Sequence, residues 1–272
     1  VPRYLRKTVA GRINFEGEVL RPLDPSQLDP IVSGFRTAGV ETIAVALMHS
    51  YRNPEHERQV RDYLRRRYPE FRVSISSDVA PEVREYPRTS TAVANAYVEP
   101  LLRSHLAEME AGLKEAGFDG VVYMMLSEGG VTTLDVASEF PVRLVESGPA
   151  AGATAAAYYG ELVGEGDIVS FDMGGTTAKL CLITNGQPSR TSELEVAREH
   201  RFKKGSGLVL RVPSVEMIEI GAGGGSIAYL DPLGLMKVGP QSSGADPGPA
   251  CYGLGGTEPT VTDADLVLGH LN

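Results

Sequence analysis

Cysteine is nearly absent from this sequence: Cys181 and Cys251 are the only two in 272 residues. That is too few for a disulfide framework and suits a reducing compartment, so a cytoplasmic location is expected. An excess of positive charge is missing as well. The chain carries 26 Lys and Arg against 35 Asp and Glu, a net charge of -9, and so lacks the basic stripe of a nucleic-acid binder. The one tight basic run, Arg65-Arg66-Arg67, closes a charged helical pattern and reads as a solvated helix face. No apolar run approaches the roughly 18 residues of a membrane span. The five histidines show no His-x-His or His-x-x-x-His spacing, which excludes the usual metal-binding pairs. Internal repeats and low-complexity tracts are missing too. The sequence starts Val1-Pro2-Arg3 without an initiator Met, and it is expected to be a piece of something longer.

What is present points to two regions. With 42% hydrophobic and 22% charged residues, the composition is that of a globular protein with an ample core. Glycine is uneven: 22 of 31 lie after Ser147. The expected division is therefore an αβ region over 1–146 and a glycine-rich region over 147–272. In the first, Glu41 to His49 reads as a strand covered on both faces. Asn53-Pro54 opens a helix to Tyr68, and Phe71 to Ser76 is a second strand. Thr91 to Ala116 is a long helix closed by Gly117, and Val121 to Leu126 a third strand. The alternation predicts a mainly parallel, layered α/β sheet. In the second region, Ala150 to Tyr159 reads as a tightly packed helix. Asp167 to Asp172 and Leu180 to Thr184 read as antiparallel strands joined by a link too short for a parallel crossover. Val215 to Ile220 is a further strand, and Asp231 to Gly256 is expected to be irregular.

The segment joining those antiparallel strands carries the clearest chemical signal. An apolar strand delivers Asp172 to its end, Gly174-Gly175 turn the backbone, and Thr176-Thr177 add two hydroxyls. Consecutive amides in such a turn form a concave anion site, and an adjacent carboxylate holds Mg²⁺, usually through water. The plainer reading is a hairpin whose glycines only supply positive φ. Such a hairpin needs neither the Asp before the glycines nor the threonines after them. Gly221, Gly223, Gly224 and Gly225 form a second cluster. It is weak alone, but after a phosphate hairpin it reads as a loop against the nucleoside. Ser147-Gly148 precede a helix: Ser147 reads first as an N-cap, and the exposed amides there can also meet phosphate. Lys179 is placed to neutralise phosphate or pair with a carboxylate. Cys251 reads as a packed thiol, and Arg201, Lys203 and Lys204 as a solvated loop.

Several long phrases occur together in order: Arg88-Thr89-Ser90-Thr91, Leu144 to Gly152, the Asp172 hairpin, Gly221 to Ile227, Ser243 to Gly253, and Gly256 to Ala264. In these the chain resembles the hydantoinase A/5-oxoprolinase family, and over Arg198 to Gly207 its bacterial N-methylhydantoinase A branch. The resemblance implies an actin-like ATPase (RNase H-like) fold, with layered mixed sheets and flanking helices closing over ATP and Mg²⁺. Members phosphorylate the carbonyl oxygen of a small cyclic amide (hydantoin, N-methylhydantoin or 5-oxoproline), and ring opening follows. A hydantoinase B-type subunit or region often takes part. Relatives use the same ATP chemistry in ketone carboxylation. A non-catalytic nucleotide-sensing module is the remaining alternative. In these terms Asp172 is the metal and catalytic carboxylate. Gly174, Gly175, Thr176, Thr177, Lys179, Ser147, Gly148 and the Gly221–Gly225 loop surround the nucleotide. Many members carry an acidic residue where this chain has Lys179. The family's other Asp-x-Gly-Gly-Thr loop does not occur before Asp172. The expectation is a central fragment whose missing N-terminal region supplies it.

Overall fold

The computed structural model describes residues 1–197, 199 and 205–272. They divide into two compact units, Val1–Ser147 with Thr191–Ser214, and Gly148–Arg190 with Val215–Asn272. The division near Ser147 falls where the glycine content changes. Thr191–Ser214, however, returns to the first unit rather than staying with the glycine-rich one.

In the first unit, strands β1 (Thr42–Val45) and β2 (Arg72–Ile75) pair in parallel, from Thr42 opposite Arg72 to Val45 opposite Ile75. A parallel pair needs a long crossover, here helix α2 (Glu55–Arg67), preceded in sequence by α1 (Leu28–Thr37). Asn53 caps α2 by accepting from the Glu55 amide at 3.0 Å. Val32 and Phe35 from α1, and Val60 and Leu64 from α2, close over Val45, Val73 and Ile75 to make the core. Arg65, Arg66 and Arg67 face solvent, as their position predicts. Helix α3 (Glu85–Glu115) begins six residues before the expected Thr91, because Pro87 sits in its first turn, where no amide is needed.

The expectation of a mainly parallel sheet does not hold in this unit. Strand β3 (Tyr123–Met125) pairs antiparallel with β4 (Val131–Thr133), a strand the sequence reading missed. The Ser127–Gly130 link is too short to cross over, and it closes with the Leu126 amide donating to Gly130 at 2.7 Å.

A polar group sits inside this core. Glu57 is wholly buried and accepts from the Leu47 amide at 2.7 Å, the Ser76 hydroxyl at 2.7 Å and the Ser77 amide at 2.8 Å. Buried Arg88, in turn, donates to Ser76 Oγ and to the Glu82 and Leu47 carbonyls. Glu57→Ala strands two backbone donors and removes the acceptor of the Ser76 hydroxyl, whose oxygen in turn accepts from Arg88. A loss of about 3 kcal/mol is expected, read as a lower denaturant midpoint at unchanged slope.

The second unit is built on a sheet ordered β7-β6-β5: β5 (Ile168–Met173), β6 (Ala178–Thr184) and β7 (Ile218–Ile220). β5 and β6 are antiparallel, as expected, with Ile168 opposite Ile183 and Met173 opposite Ala178. Helix α4 (Ser147–Val163) covers one face, and Ala150 and Ala153 meet Cys181 and Ile183 there. Gly160 lets the chain that leads into β5 turn closely over the end of the helix. A Cβ there would lie 2.7 Å from the Glu165 carbonyl and 2.9 Å from Ile168 Cδ1.

Strand β8 (Ser226–Leu230) is followed, inside the Asp231–Gly256 stretch expected to be irregular, by an antiparallel strand, β9 (Met236–Ser242). The high Gly and Pro content hid β9. Pro240 is accommodated because the register shifts between Ser226 and Ala228, where the ladder needs no amide from it. A short helix, α5 (Val261–Val267), closes the unit. No helix of the described residues is long and apolar enough to cross a membrane.

Candidate functional site

Asp172 sits near the end of β5, one residue before the strand gives way to the Gly174–Thr177 turn. Strand alternation points it to the face covered by α4. Its Oδ2 would lie 3.8 Å from a Cβ at Gly152, in the second turn of that helix. The Asp172 carboxylate forms no hydrogen bond or ion pair with another described residue. Lys179 lies directly opposite it on β6, and Glu219 of β7 directly opposite Lys179. A cation between two carboxylates along one row suits pairing across strands.

The turn itself is tightly specified. The Gly174 amide donates to the Thr177 carbonyl at 2.9 Å. The amides of Gly175, Thr176 and Thr177 donate to no described residue, and Gly175 and Thr176 are exposed. Three successive N–H groups beside a carboxylate, none with a partner among the described residues, form an arrangement that can accept an anion.

The glycine loop does not lie apart from this turn; it is bound to it. The Gly224 amide donates to the Gly174 carbonyl at 2.9 Å, and the Gly225 amide to the Gly175 carbonyl at 2.8 Å. A Cβ at Gly223 would lie 2.5 Å from Gly174 O and 2.7 Å from Thr176 N. These glycines are required by backbone-on-backbone contact, and two of the amides expected to face a nucleoside are already spent on the hairpin. Gly221 sits nearer β9, its carbonyl 3.5 Å from a Cβ at Gly239. Ser147 and Gly148 open α4, where Gly148 is exposed and a Cβ there would meet nothing within 4 Å. Of the loop expected to be solvated, Arg201, Lys203 and Lys204 lie outside the described residues, as do Arg198, His200 and Phe202.

Residues that the sequence reading passed over hold the loop from its other side. The Ser243 amide donates to Gly225 O and the Thr262 amide to Gly224 O, both at 2.8 Å. The advance signal was their place in the phrases Ser243 to Gly253 and Gly256 to Ala264, which carry the family resemblance. Thr262 is placed by the capping box at the start of α5, in which Thr260 and Asp263 satisfy each other's backbone amides. Burial pushes the Asp263 carboxyl up. Hydrogen bonds from the Thr260 hydroxyl at 2.7 Å, the Cys251 amide at 2.7 Å and thiol, and the Thr260 amide at 2.8 Å outweigh it and hold its pKa well below the carboxylate range. A depressed folded-state pKa means the contribution is complete above about pH 4 and is lost as pH falls through the folded value. Asp263→Asn should therefore lower the melting temperature at pH 7 and flatten the acid limb of a melting-temperature profile. Cys251 is exposed, which corrects the expectation of a packed thiol. Its hydrogen bond to Asp263 pushes the thiol pKa up, so it stays protonated and a poor nucleophile.

The sequence profile of the hydantoinase/oxoprolinase family matches residues 88–272, and that of the family's N-terminal region matches residues 1–68. The chain belongs to the hydantoinase/oxoprolinase family. An uncharacterized protein of Methanocaldococcus jannaschii is 42% identical over 100% of the chain and 40% of its own length. The caprolactamase subunit alpha of Pseudomonas jessenii is 37% identical over 100% of the chain and 38% of its own length. A nucleotide-free structure of acetone carboxylase, described as acting by ATP-dependent acetone carboxylation, superposes with a TM-score of 0.78. It is 32% identical and matches 100% of the chain and 38% of its own. The chain thus spans about 40% of the length of these relatives.

Proposed function

We propose that this chain is the phosphate-gripping part of an ATP-dependent enzyme that opens a small cyclic amide, built on an actin-like ATPase fold. The observation that carries the reading is the Gly175–Thr177 turn, whose three amides and the adjacent Asp172 carboxylate have no partner among the described residues. The amides, with the Thr176 and Thr177 hydroxyls, hold phosphate oxygens, and the Gly223–Gly225 loop keeps the turn rigid from behind. Asp172 orients Mg²⁺ through water, an arrangement its exposure and its lack of a partner among the described residues fit. Bound there, the ion neutralises charge on the transferring phosphoryl group. Lys179, flanked by Asp172 and Glu219, keeps the carboxylate row from repelling an incoming anion. Gly148 and Ser147 present a helix N-terminus of the kind that receives phosphate.

The chemical logic is that an amide carbonyl is a weak electrophile. Phosphorylating its oxygen makes the carbon electrophilic enough for water to add; the C–N bond then breaks, the ring nitrogen leaves with a proton, and the acyl phosphate that remains is hydrolysed by a second water to carboxylate and phosphate. The family's name and the 37% identity to a caprolactamase subunit support a cyclic-amide acceptor, and relatives that are subunits of larger enzymes support a hydantoinase B-type partner. The acetone carboxylase structure favours a second reading, transfer of phosphate toward ketone carboxylation with the same nucleotide residues. The test is product analysis with the full-length protein and its partner subunit, supplied with ATP and either hydantoin, 5-oxoproline and caprolactam, or acetone and bicarbonate. ADP formed in step with ring-opened product supports the first reading. Carboxylated product replaces it with the second, and no ADP release with any acceptor removes both.

A further inference from the structure

Helix α3 ends in a turn that builds one wall of a surface groove. The Gly117 amide donates to the Lys114 carbonyl at 3.0 Å and the Phe118 amide to the Leu113 carbonyl at 2.9 Å, with Gly117 at φ +87°. This pairing stops a helix and sets Phe118 on the side of Leu113. The Phe118 ring also lies against Gly120, where a Cβ would come within 2.6 Å of its Cζ. With Val121 and Leu134, these two side chains make the apolar floor of a groove of about 720 Å³. Phe118 is 45% exposed there and Val121 67%. The charges of the groove are one-sided. Asp119 and Asp135 line it and are exposed, and neither has a hydrogen bond or ion pair among the described residues. The lining cation, Lys114, is already held by Glu110 at 2.7 Å.

We propose that this groove docks the partner subunit through a segment that is both basic and apolar. One apolar side chain seats against Phe118, Val121 and Leu134, and an Arg or Lys on either side meets Asp119 and Asp135. Arg suits the place best, because its fork bonds a carboxylate through two parallel N–H groups. Charge decides the occupant. Two carboxylates without partners call for cations, and a second copy of this chain, at net charge -9, brings an excess of the wrong sign. An apolar centre inside a charged rim is also the make-up of a surface that meets a separable partner. Packing within one polypeptide would instead bury those carboxylates at a desolvation cost. The inference rests on the functional reading only for the existence of the partner subunit, since docking here needs neither ATP nor substrate.

The experiment uses the full-length protein and its partner subunit, without nucleotide. Asp119→Lys with Asp135→Lys reverses both rim charges, and Val121→p-benzoylphenylalanine, in a separate variant, places a photo-crosslinker in the groove. The double reversal is expected to weaken the complex about tenfold at low ionic strength and much less at high salt, where exposed charges are screened. The melting temperature of the full-length chain should not change. Asp119→Asn with Asp135→Asn removes the charges at nearly constant shape and should weaken the complex about threefold under the same low-salt conditions. The crosslinker is expected to capture partner-subunit peptides that carry Arg or Lys. Parent-like affinity of both double variants at low salt would overturn the proposal. So would crosslinks confined to the same polypeptide, crosslinks to a second copy, or none. If the parent proteins form no complex, the partner in the functional reading fails too, whereas a complex that ignores the substitutions refutes the docking site alone.

Discussion

Asp172→Ala in the full-length enzyme is expected to remove ATP-dependent turnover while leaving the melting temperature within a few degrees of the parent. The carboxylate has no described hydrogen-bond or ion-pair partner to lose, so its removal strands nothing in the fold. Under the proposed function, what it takes away is the group that orients the cation on the transferring phosphoryl. Charge stabilisation of that kind is worth about 4 kcal/mol, or on the order of a thousandfold in rate. Turnover and melting temperature of the same preparation are the measurements. Turnover within about twofold of the parent would remove Asp172 from the mechanism. A fall in stability matching the fall in rate would make it a structural residue instead.

Gly223→Ala is expected to damage both stability and ATP use, for a different reason. The added methyl would sit 2.5 Å from the Gly174 carbonyl and 2.7 Å from Gly175 C and Thr176 N. All three contacts are backbone, so no side chain can swing away. Either the loop or the phosphate turn must move, and overpacking of this type costs about 3 kcal/mol. Movement of the turn misaligns the Gly175–Thr177 amides and should raise the ATP dissociation constant at least tenfold. Gly148→Ala is the internal comparison, since a Cβ there meets nothing within 4 Å and stability should change by less than about 1 kcal/mol. Chemical denaturation and nucleotide titration of the two full-length variants decide the matter. Parent-like ATP affinity for Gly223→Ala would separate the loop from the phosphate turn.

Much of the site was legible in the sequence because its logic is local. A strand that ends in Asp172, a turn that needs Gly174-Gly175, and a return strand beginning within a few residues leave the chain one short-range solution, an antiparallel hairpin. α2 was legible for the same reason: Asn53 and Pro54 mark its start and the Val60–Leu64 spacing its inner face. The errors arose where partners are distant in sequence. Thr191–Ser214 returns to the first unit through contacts that local pattern does not record. β9 was hidden because its Pro240 is tolerated only by a register shift against β8.

The sequence by itself determined the family and the antiparallel hairpin that carries Asp172 and Gly174-Gly175, because these depend on residue types at fixed short spacing. Only the tertiary structure decided what the glycine loop is for. Gly223, Gly224 and Gly225 are small because the backbone of Gly174 and Gly175 lies against them, and their far side is tied to Ser243 and Thr262. Which amides stay free for a ligand depends on which carbonyls already claim them. That accounting is fixed by residues about twenty to fifty positions apart in the chain, a separation at which local spacing carries no information.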